Sequence, residues 1–261
     1  MGDTTFLAVK SEVYQIPGVA DIEAALRAGA DVRLILLAED AARSSVEALV
    51  ERAERLSIPV RRATRRVVTR LSVIEHADAL ALVGRDPYAG IGEMIAAGGA
   101  SWLLVGVAYP GNVGMVVRTV EVSGGSGIVV DAKFENEGRK AALRASMRAD
   151  KFMPVHWDLP WQILDGAEAA GHGIYAIDEE GSSAPWEVDL TGPRLFVVGG
   201  ENGGIAPEVM KRCHVRIRIP MAGFIPCYNL QAAVSAIATE RLRQLSDVNS
   251  GRRGRLPQAL A

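Results

Sequence analysis

The spacing of apolar and polar positions predicts alternating helices and strands along most of the chain. In the first third, apolar residues at helical spacing predict helices over Val19 to Ala30 and Ala42 to Leu56. Short apolar runs predict strands at Arg33 to Leu37, Ile58 to Arg62 and Leu80 to Val83, with a short arginine-rich helix before the last of them. This small α/β unit ends near Arg85, and the turn-forming residues from Asp86 to Gly92 suit a linker.

From Ser101 onward the alternation resumes with longer uninterrupted apolar runs. Runs of this kind are typical of a parallel sheet that is buried on both faces. The predicted strands are Trp102 to Val107, Gly127 to Val130, Ile174 to Ile177, Leu195 to Val198 and Val215 to Ile219. The predicted helices are Val113 to Val122, Pro160 to Ala170, Pro207 to Arg212 and Asn229 to Leu245. We therefore predict two α/β domains, residues 1–88 and 89–261.

Composition limits the class of protein. Of the 261 residues, 49% are hydrophobic, which is enough for a sizeable core. No apolar run reaches about 18 residues, so no membrane span is expected. The N-terminus lacks a basic start followed by an apolar stretch, so no signal peptide is expected either. Cys213 and Cys227 fit no zinc or disulfide framework. We expect a cytoplasmic protein without a metal.

The net charge and the local basic clusters give opposite indications about nucleic-acid binding. The net charge of −2 counts mildly against a nonspecific nucleic-acid binder. Basic residues nevertheless cluster locally, within Arg52 to Arg70, Arg139 to Lys151 and Arg252 to Arg255. A solvated helix face accounts for any single cluster as well as RNA binding does. Three clusters on one chain favour contacts with phosphates. From them we predict RNA contacts at Arg61, Arg62, Arg65, Arg66 and Arg148.

Polar segments interrupt the second apolar pattern at three places. The loop from Gly199 to Gly204 follows a predicted strand, where open α/β sheets bind ligands and where glycines allow a close backbone approach. It matches neither a P-loop nor a dinucleotide-binding fingerprint. Asn112 and Arg118 lie in the first two turns of one predicted helix, and Asn229 begins another. Taken singly, these features are typical of a tight turn, a surface arginine and a helix cap.

In their joint order and spacing, these segments resemble the three motifs of the SpoU/TrmH branch of the SPOUT RNA methyltransferases. The matching segments are Asn112 to Arg118, Val198 to Ile205, and Ile219 to Gln244, which opens with Ile-Pro-Met and closes with Glu-Arg-Leu-Arg-Gln. The resemblance covers about Trp102 to Gln244 and includes an Arg-Ala-Ser segment within Leu143 to Pro154. More weakly, residues 19 to 37 resemble the L30e-like RNA-binding domain that often precedes the catalytic domain.

The resemblance implies a fold and an activity. The fold is α/β, with a SPOUT-type parallel sheet and a C-terminal trefoil knot, preceded by a small L30e-like α/β domain. The activity is methyl transfer from S-adenosylmethionine to a ribose 2′-hydroxyl of RNA, by a homodimer whose sites borrow residues from both subunits. We expect 23S rRNA as the substrate, with tRNA as the alternative. Similar two-domain enzymes include some that confer resistance to ribosome-targeting antibiotics. A non-catalytic RNA-binding or ribosome-assembly protein with a degenerate site is the rival hypothesis. A generic doubly wound enzyme would need a cofactor fingerprint that the chain lacks.

The resemblance also implies site residues. The implied catalytic residues are Asn112, Arg118, Glu201 and Asn229. The implied cofactor-binding residues are Gly199, Gly200, Ile219, Tyr228, Leu230 and Ile177. Two roles are open for Arg118: it removes the hydroxyl proton with help from a substrate phosphate, or it clamps the phosphate and stabilises the developing alkoxide. A guanidinium pKa above about 12 argues against the first role.

Three residues depart from the family pattern. Cys227 and Tyr228 stand where the third motif usually has Ser-Leu, and Arg148 stands where Gly is common. A thiol is a poorer hydrogen-bond donor than a hydroxyl, and Tyr is bulkier than Leu. No thiol nucleophile is needed when the methyl passes directly from sulfur to oxygen. The departures therefore concern substrate choice and rate more than the fold.

Overall fold

The computed structural model describes residues 15–72 and 74–249, and the chain divides into two compact units between Asp86 and Pro87. The strands are β1 (Gln15–Pro17), β2 (Val32–Ala38), β3 (Val60–Ala63), β4 (Ala79–Val83), β5 (Ala100–Val105), β6 (Gly127–Asp131), β7 (Val155–His156), β8 (Gly173–Ile177), β9 (Arg194–Gly199) and β10 (Val215–Ile217). The helices are α1 (Val19–Arg27), α2 (Arg43–Arg55), α3 (Arg65–Leu71), α4 (Ile91–Ala96), α5 (Pro110–Val122), α6 (Asn136–Ala145), α7 (Trp161–Ala169), α8 (Pro207–Met210) and α9 (Leu230–Asn249). Within the described ranges, no helix is both long enough and apolar enough to cross a membrane.

The first unit is built on a four-stranded sheet in the order β1-β4-β2-β3. Strand β2 runs parallel to β3 and antiparallel to β4. The run from Leu34 to Leu37 in β2 is buried without interruption, so both faces of this strand are covered. Ile22 of α1 and Leu49 of α2 are fully buried. The short edge strand β1 carries no distinct apolar pattern and was not predicted.

Arg65 ties the start of α3 to two neighbouring loops of the first unit. Its Nε donates to Asp40 Oδ2 at 2.8 Å, and its Nη2 donates to Asp78 Oδ1 at 2.7 Å. Asp40 follows β2 and Asp78 precedes β4, so one side chain joins three elements. The guanidinium holds the pKa of the Asp40 carboxyl below its usual value. Arg65 was predicted as an RNA contact, but its donors are engaged within the fold.

The second unit is built on a six-stranded parallel sheet in the order β10-β8-β9-β5-β6-β7. Helices α5, α6 and α9 cover one face, and α4, α7 and α8 cover the other. Along β5, Trp102 packs against the first group of helices and Leu103 against the second. The rings of Trp102 and Phe196 lie with their centroids 4.8 Å apart in the core. The structure thus confirms the predicted parallel sheet that is buried on both faces.

Two helices of the second unit, α4 and α6, were not among the predicted elements. The predicted linker from Asp86 to Gly92 is wrong at its end, because α4 begins at Ile91 and buries that side chain. The backbone N–H of Gly90 donates to Glu93 Oε2 at 2.8 Å at the start of this helix. Helix α6 was not predicted, because it buries only Ala142 and therefore lacks an apolar stripe.

One loop holds the chain at β10 from both sides. The N–H of Asp178 donates to Ile217 O at 2.9 Å, and the N–H of Arg218 donates to Ser183 O at 2.8 Å. Arg216 Nη2 adds a bond of 2.6 Å to Asp178 Oδ1. The loop from Asp178 to Ser183 therefore wraps around the chain at the end of β10. After β10, the chain returns across the sheet so that α9 packs against α5.

Candidate active site

A cleft of about 340 Å³ opens at the carboxyl ends of β8, β9 and β10. Three segments supply most of its lining: Ile177 to Glu179 at the end of β8, Val198 to Glu201 at the end of β9, and Cys227 to Leu230 at the start of α9. Open α/β sheets bind ligands at this edge, and the volume is within the range of small-molecule sites. The cleft is therefore the candidate ligand site of the second unit.

The cleft contains every residue that the sequence predicted to bind a cofactor. These six residues come from separate stretches of the chain: Ile177, Gly199, Gly200, Ile219, Tyr228 and Leu230. Their convergence follows from the strand order, which places the ends of β8, β9 and β10 side by side.

Backbone packing shapes the part of the cleft that follows β9. The N–H of Gly200 donates to Val105 O at 2.7 Å, and a Cβ on Gly200 would lie 2.1 Å from Gly106 O. A Cβ on Gly199 would lie 2.1 Å from the carbonyl carbon of Gly204. No side chain fits at these distances, so glycine is required at both positions.

The charge of the cleft lining is one-sided. Asp178, Glu179 and Glu201 line it, whereas no lysine or arginine of residues 15–72 and 74–249 does. Arg216, which pairs with Asp178 at 2.6 Å, lies outside the lining. Such a cleft suits a ligand with positive charge and apolar surface, since the side chains described around it offer no cation to a phosphate. Sequence reasoning missed Asp178 and Glu179, although they directly follow a predicted buried strand. Among the described residues, no group of three or more His, Cys, Asp or Glu side chains is placed to hold a metal ion.

Three of the four predicted catalytic residues form one hydrogen-bonded chain beside the cleft, which we call the polar chain: Glu201, Asn112 and Asn229. Asn112 Nδ2 donates to Glu201 Oε1 at 2.6 Å, and Asn229 Nδ2 donates to Asn112 Oδ1 at 3.3 Å. Glu201 Oε2 accepts from the N–H of Ala108 at 3.1 Å. Asn229 Oδ1 accepts from the N–H of Gln231 at 2.9 Å, so Asn229 also caps α9. The polar chain thus joins the start of α5, the loop after β9 and the start of α9.

The fourth predicted catalytic residue, Arg118, stands apart. It is exposed on α5 and makes no hydrogen bond or ion pair with any residue that the structure describes. It lies six positions along the helix from Asn112, a rise of roughly 9 Å, and it does not line the cleft. The structure therefore does not bring it to the polar chain. An unpaired guanidinium on the surface suits an anionic group from another molecule.

The predicted RNA contacts of the first unit differ in their surroundings. Arg62 and Arg66 are exposed and have no partner among residues 15–72 and 74–249. Arg61 is exposed but takes part in an interaction within the protein. Arg65 is held by its two carboxylates.

Arg148, the predicted RNA contact of the second unit, has an unusual backbone. It is exposed and lies in the left-handed region, with a φ of 76°. Met147 before it also has a positive φ, of 54°. For a non-glycine residue, this region costs roughly 1–2 kcal/mol. The glycine that is common here in the resembling family would avoid that cost.

The two other departures lie in the loop from Pro220 to Tyr228, which we call the motif loop. The hydroxyl of Tyr228 donates to Pro220 O at 3.3 Å and so links the two ends of this loop. Cys227 is exposed and lines the cleft. Cys213 lies outside the cleft lining, and burial raises the pKa of its thiol to about 11. Cys213 is therefore protonated at neutral pH and unsuited to act as a nucleophile.

Comparison with known proteins identifies similar sequences and folds. The chain is 30% identical over 141 residues to the 23S rRNA (uridine(2479)-2′-O)-methyltransferase of Streptomyces viridochromogenes, a match that covers 52% of this chain and 49% of that protein. It is 27% identical over 244 residues to the 23S rRNA (guanosine-2′-O-)-methyltransferase RlmB of Pseudomonas syringae pv. tomato, covering 90% and 98%. The chain thus spans about half the length of the Streptomyces relative and of a Mycobacterium relative, and nearly all of the Pseudomonas one.

A structural comparison and a family model agree with these sequence matches. The AdoMet-bound rRNA methyltransferase from Sinorhizobium meliloti superimposes with a TM-score of 0.56 at 20% identity, covering 89% of this chain and 87% of that one. At this identity the likeness concerns the fold alone. The SpoU rRNA Methylase family matches residues 101–239, more than half of the chain, and the chain therefore belongs to that family.

Proposed function

We propose that this protein transfers a methyl group from S-adenosylmethionine to a ribose 2′-hydroxyl of structured RNA, with 23S rRNA as the substrate. The observation that carries the proposal is the cleft of this SpoU-family chain, which lies beside the polar chain. Its described lining has three carboxylates, no basic side chain and a largely apolar wall. The sulfonium and ammonium charges of the cofactor match the carboxylates, and its adenosine matches the apolar wall. Two relatives named as 23S rRNA 2′-O-methyltransferases favour rRNA over tRNA.

The predicted cofactor residues fit this ligand. Gly199 and Gly200 let the backbone around the cleft pack closely, since any Cβ at either position would collide with neighbouring backbone. Ile177, Ile219 and Leu230 supply apolar surface in the cleft, and Tyr228 closes the motif loop. A nucleoside triphosphate would instead require cations or a phosphate-binding loop, and the described lining of the cleft has neither.

The three residues of the polar chain orient the substrate. When bound, S-adenosylmethionine supplies a methyl group that is already activated on sulfur, so the protein needs mainly to align it with the ribose. Asn229 Nδ2 donates one hydrogen to Asn112 Oδ1 and has a second hydrogen that it can donate to the ribose oxygen. Glu201 and Asn112 hold Asn229 in place. Bound in the cleft, S-adenosylmethionine would supply the methyl group and keep the sulfur electron pair, and the hydroxyl proton would pass to solvent.

We assign Arg118 to the phosphate next to the target nucleotide. Its guanidinium is a poor base, so it acts through its positive charge, which stabilises the charge developing on the ribose oxygen. Within one chain Arg118 is separated from the polar chain, so we propose a homodimer in which each subunit lends Arg118 to the other's site. Met115 and Val122 support this, because both are exposed on the same face of α5 as Arg118 and a second subunit would cover them.

The proposal includes the trefoil knot and the RNA-binding role of the first domain. The loop from Asp178 to Ser183 wraps around the chain at the end of β10, and α9 then returns to pack against α5. This arrangement is expected of a C-terminal segment that is threaded through a loop. We assign residues 1–88 to an L30e-like domain that binds RNA. Arg61, Arg62 and Arg66 are its proposed contacts, whereas Arg65 has a structural role.

Calorimetry followed by methylation mapping tests the proposal. We expect S-adenosylmethionine to bind in the presence of a chelator with micromolar affinity, on the order of −8 kcal/mol. Purified 23S rRNA should then gain a 2′-O-methyl group at one nucleotide, and an RNA with a 2′-deoxy sugar there should gain none. Methylation of tRNA in preference to rRNA would move the substrate to tRNA. No cofactor binding at millimolar concentration would favour the non-catalytic RNA-binding alternative.

A role in antibiotic resistance is a narrower proposal, which drug susceptibility of cells lacking the gene would test.

A further inference from the structure

The tip of the motif loop carries two apolar side chains that the fold does not use. The relative exposure of Phe224 is 109% and that of Ile225 is 75%. Neither belongs to the two hydrophobic clusters of the second unit. An aromatic ring is among the side chains that gain most from burial, so full exposure calls for a partner outside the chain.

The position of the tip limits what that partner can be. Met221 before the tip and Cys227 after it both line the cleft, whereas Phe224 does not. Asn229 of the polar chain follows five residues after Phe224. The ring therefore lies at the mouth of the site, outside the space assigned to the cofactor and close to the place where the target ribose must sit.

A nucleobase fits this position better than a second protein chain does. The base is bonded to C1′, the carbon next to C2′, so a ribose held at Asn229 brings its own base and the neighbouring bases to the mouth of the cleft. Every base has a flat face that stacks on an exposed aromatic ring. Two side chains on one tip are far from the roughly 800 Å² per partner that a stable subunit interface buries.

We infer that Phe224 stacks on a base of the RNA substrate, at or next to the methylated nucleotide, and so helps to select and hold that nucleotide. The inference rests on the proposed function and names a binding residue for it. Ile225 packs beside the same base. The contact acts on RNA and not on the cofactor, because the ring lies outside the cleft lining.

Steady-state methylation of an rRNA fragment that contains the mapped nucleotide tests this role. At saturating cofactor, Phe224→Ala and Phe224→Leu should lower kcat/KM on the order of ten-fold or more, mainly through KM for RNA. Phe224→Tyr and Phe224→Trp should retain it, since they keep a ring. The Kd for S-adenosylmethionine should stay within about two-fold in all four, since removal of one exposed ring leaves the cleft intact.

A second exposed ring of the same unit provides the control. Trp186 is 45% exposed next to Pro185, whose carbonyl accepts from Gln244 Nε2 at 3.3 Å. Gln244 lies 14 residues beyond Leu230 on α9, roughly 21 Å along the helix from the site. Trp186→Ala should leave kcat/KM unchanged.

RNA substrates with one abasic position test whether the ring of Phe224 acts by stacking on a base. The loss in Phe224→Ala should disappear on RNA that is abasic at the stacked position. Wild-type kcat/KM in Phe224→Ala would overturn the inference, as would an equal loss on intact and abasic RNA. If light scattering shows that Phe224→Ala dissociates from dimer to monomer and activity falls in parallel, the tip is a subunit contact, and this result would also overturn the inference. A wild-type protein that binds this RNA but transfers no methyl would contradict the proposed function instead. The RNA affinities of the wild-type protein and the Phe224 variants would then test the stacking inference.

Discussion

Two regions of the second unit are built in opposite ways: the cleft with its polar chain, and the outer surface that carries Arg118, Arg148 and Phe224. In the first, backbone atoms pack at van der Waals contact around Gly200, and Asn112 is hydrogen-bonded on both sides. In the second, Arg118 has no described partner, Phe224 is fully exposed and Arg148 has a left-handed backbone. The difference teaches that the part proposed to bind the small cofactor is preorganised, whereas the part proposed to meet RNA is left for the substrate to complete.

The largest expected effect is in the preorganised region. Gly200→Ala should lower the free energy of unfolding by roughly 1–3 kcal/mol and abolish cofactor binding, because its Cβ would collide with the backbone of Gly106. Gly203→Ala in the same loop is the matched control, since a Cβ there meets no atom within 4 Å. Chemical denaturation and calorimetry measure both. Normal binding by Gly200→Ala would show that this part of the cleft is not rigid.

Arg118 tests the other side of the comparison. Arg118→Ala should reduce methyl transfer by a factor that corresponds to roughly 3 kcal/mol or more, while the Kd for S-adenosylmethionine stays within a few-fold. The reason is that its proposed contact is with the RNA phosphate and the charge developing on the ribose oxygen, not with the cofactor. Single-turnover methylation and calorimetry separate the two effects, and Arg118→Lys should recover part of the rate. Full turnover in Arg118→Ala would remove this residue from the reaction.

A truncated chain extends the comparison to the first unit. A chain that begins at Pro87 should fold and bind the cofactor but should bind RNA more weakly, with a shallower salt dependence because fewer counterions are released. A start at Gly92 would remove Ile91, which is buried in α4. Filter binding at several salt concentrations measures the effect.

Point variants of the first unit refine that result. Arg62→Ala with Arg66→Ala should reproduce part of the loss of RNA affinity, whereas Arg65→Ala should lower stability instead, since it breaks two ion pairs. Equal RNA binding by the truncated and full chains would rule out the first unit as an RNA-binding domain.

Arg148 should show that the surface proposed to meet RNA gives up some stability. Arg148→Gly should raise the free energy of unfolding by roughly 1 kcal/mol, because glycine tolerates the positive φ. It should also weaken RNA binding. Arg144→Gly, inside α6, should lower stability by about 1 kcal/mol. Denaturation midpoints of the two variants should move in opposite directions, and a loss of stability in both would contradict the role given to strain.

The smallest effect is expected at Cys227. Cys227→Ser should keep wild-type activity, since in the proposed reaction the methyl passes directly from sulfur to oxygen and the family usually has a hydroxyl here. Single-turnover assays of Cys227→Ser and Cys227→Ala are the measurement. Complete inactivity of both with cofactor binding intact would indicate a covalent cysteine adduct and overturn ribose methylation.

The apolar pattern by itself determined the core elements of the fold. Continuous apolar runs located β5, β6, β8, β9 and β10 to within a few residues. It failed where local apolar signal was weak, as in α6, which buries one residue. The order of the polar motifs was also sufficient to indicate the family, because motif spacing is a property of the chain and not of its contacts.

Only the tertiary structure decided which side chains meet. Glu201, Asn112 and Asn229 form one hydrogen-bonded chain because parallel strands bring distant loops to the same edge of the sheet. The same strand order places Asp178 at the cleft. Arg65, one member of a basic cluster in the sequence, is neutralised by carboxylates from two other loops. Local patterns encode burial and periodicity, whereas these contacts depend on strand order and chain return, which arise only when the whole chain packs.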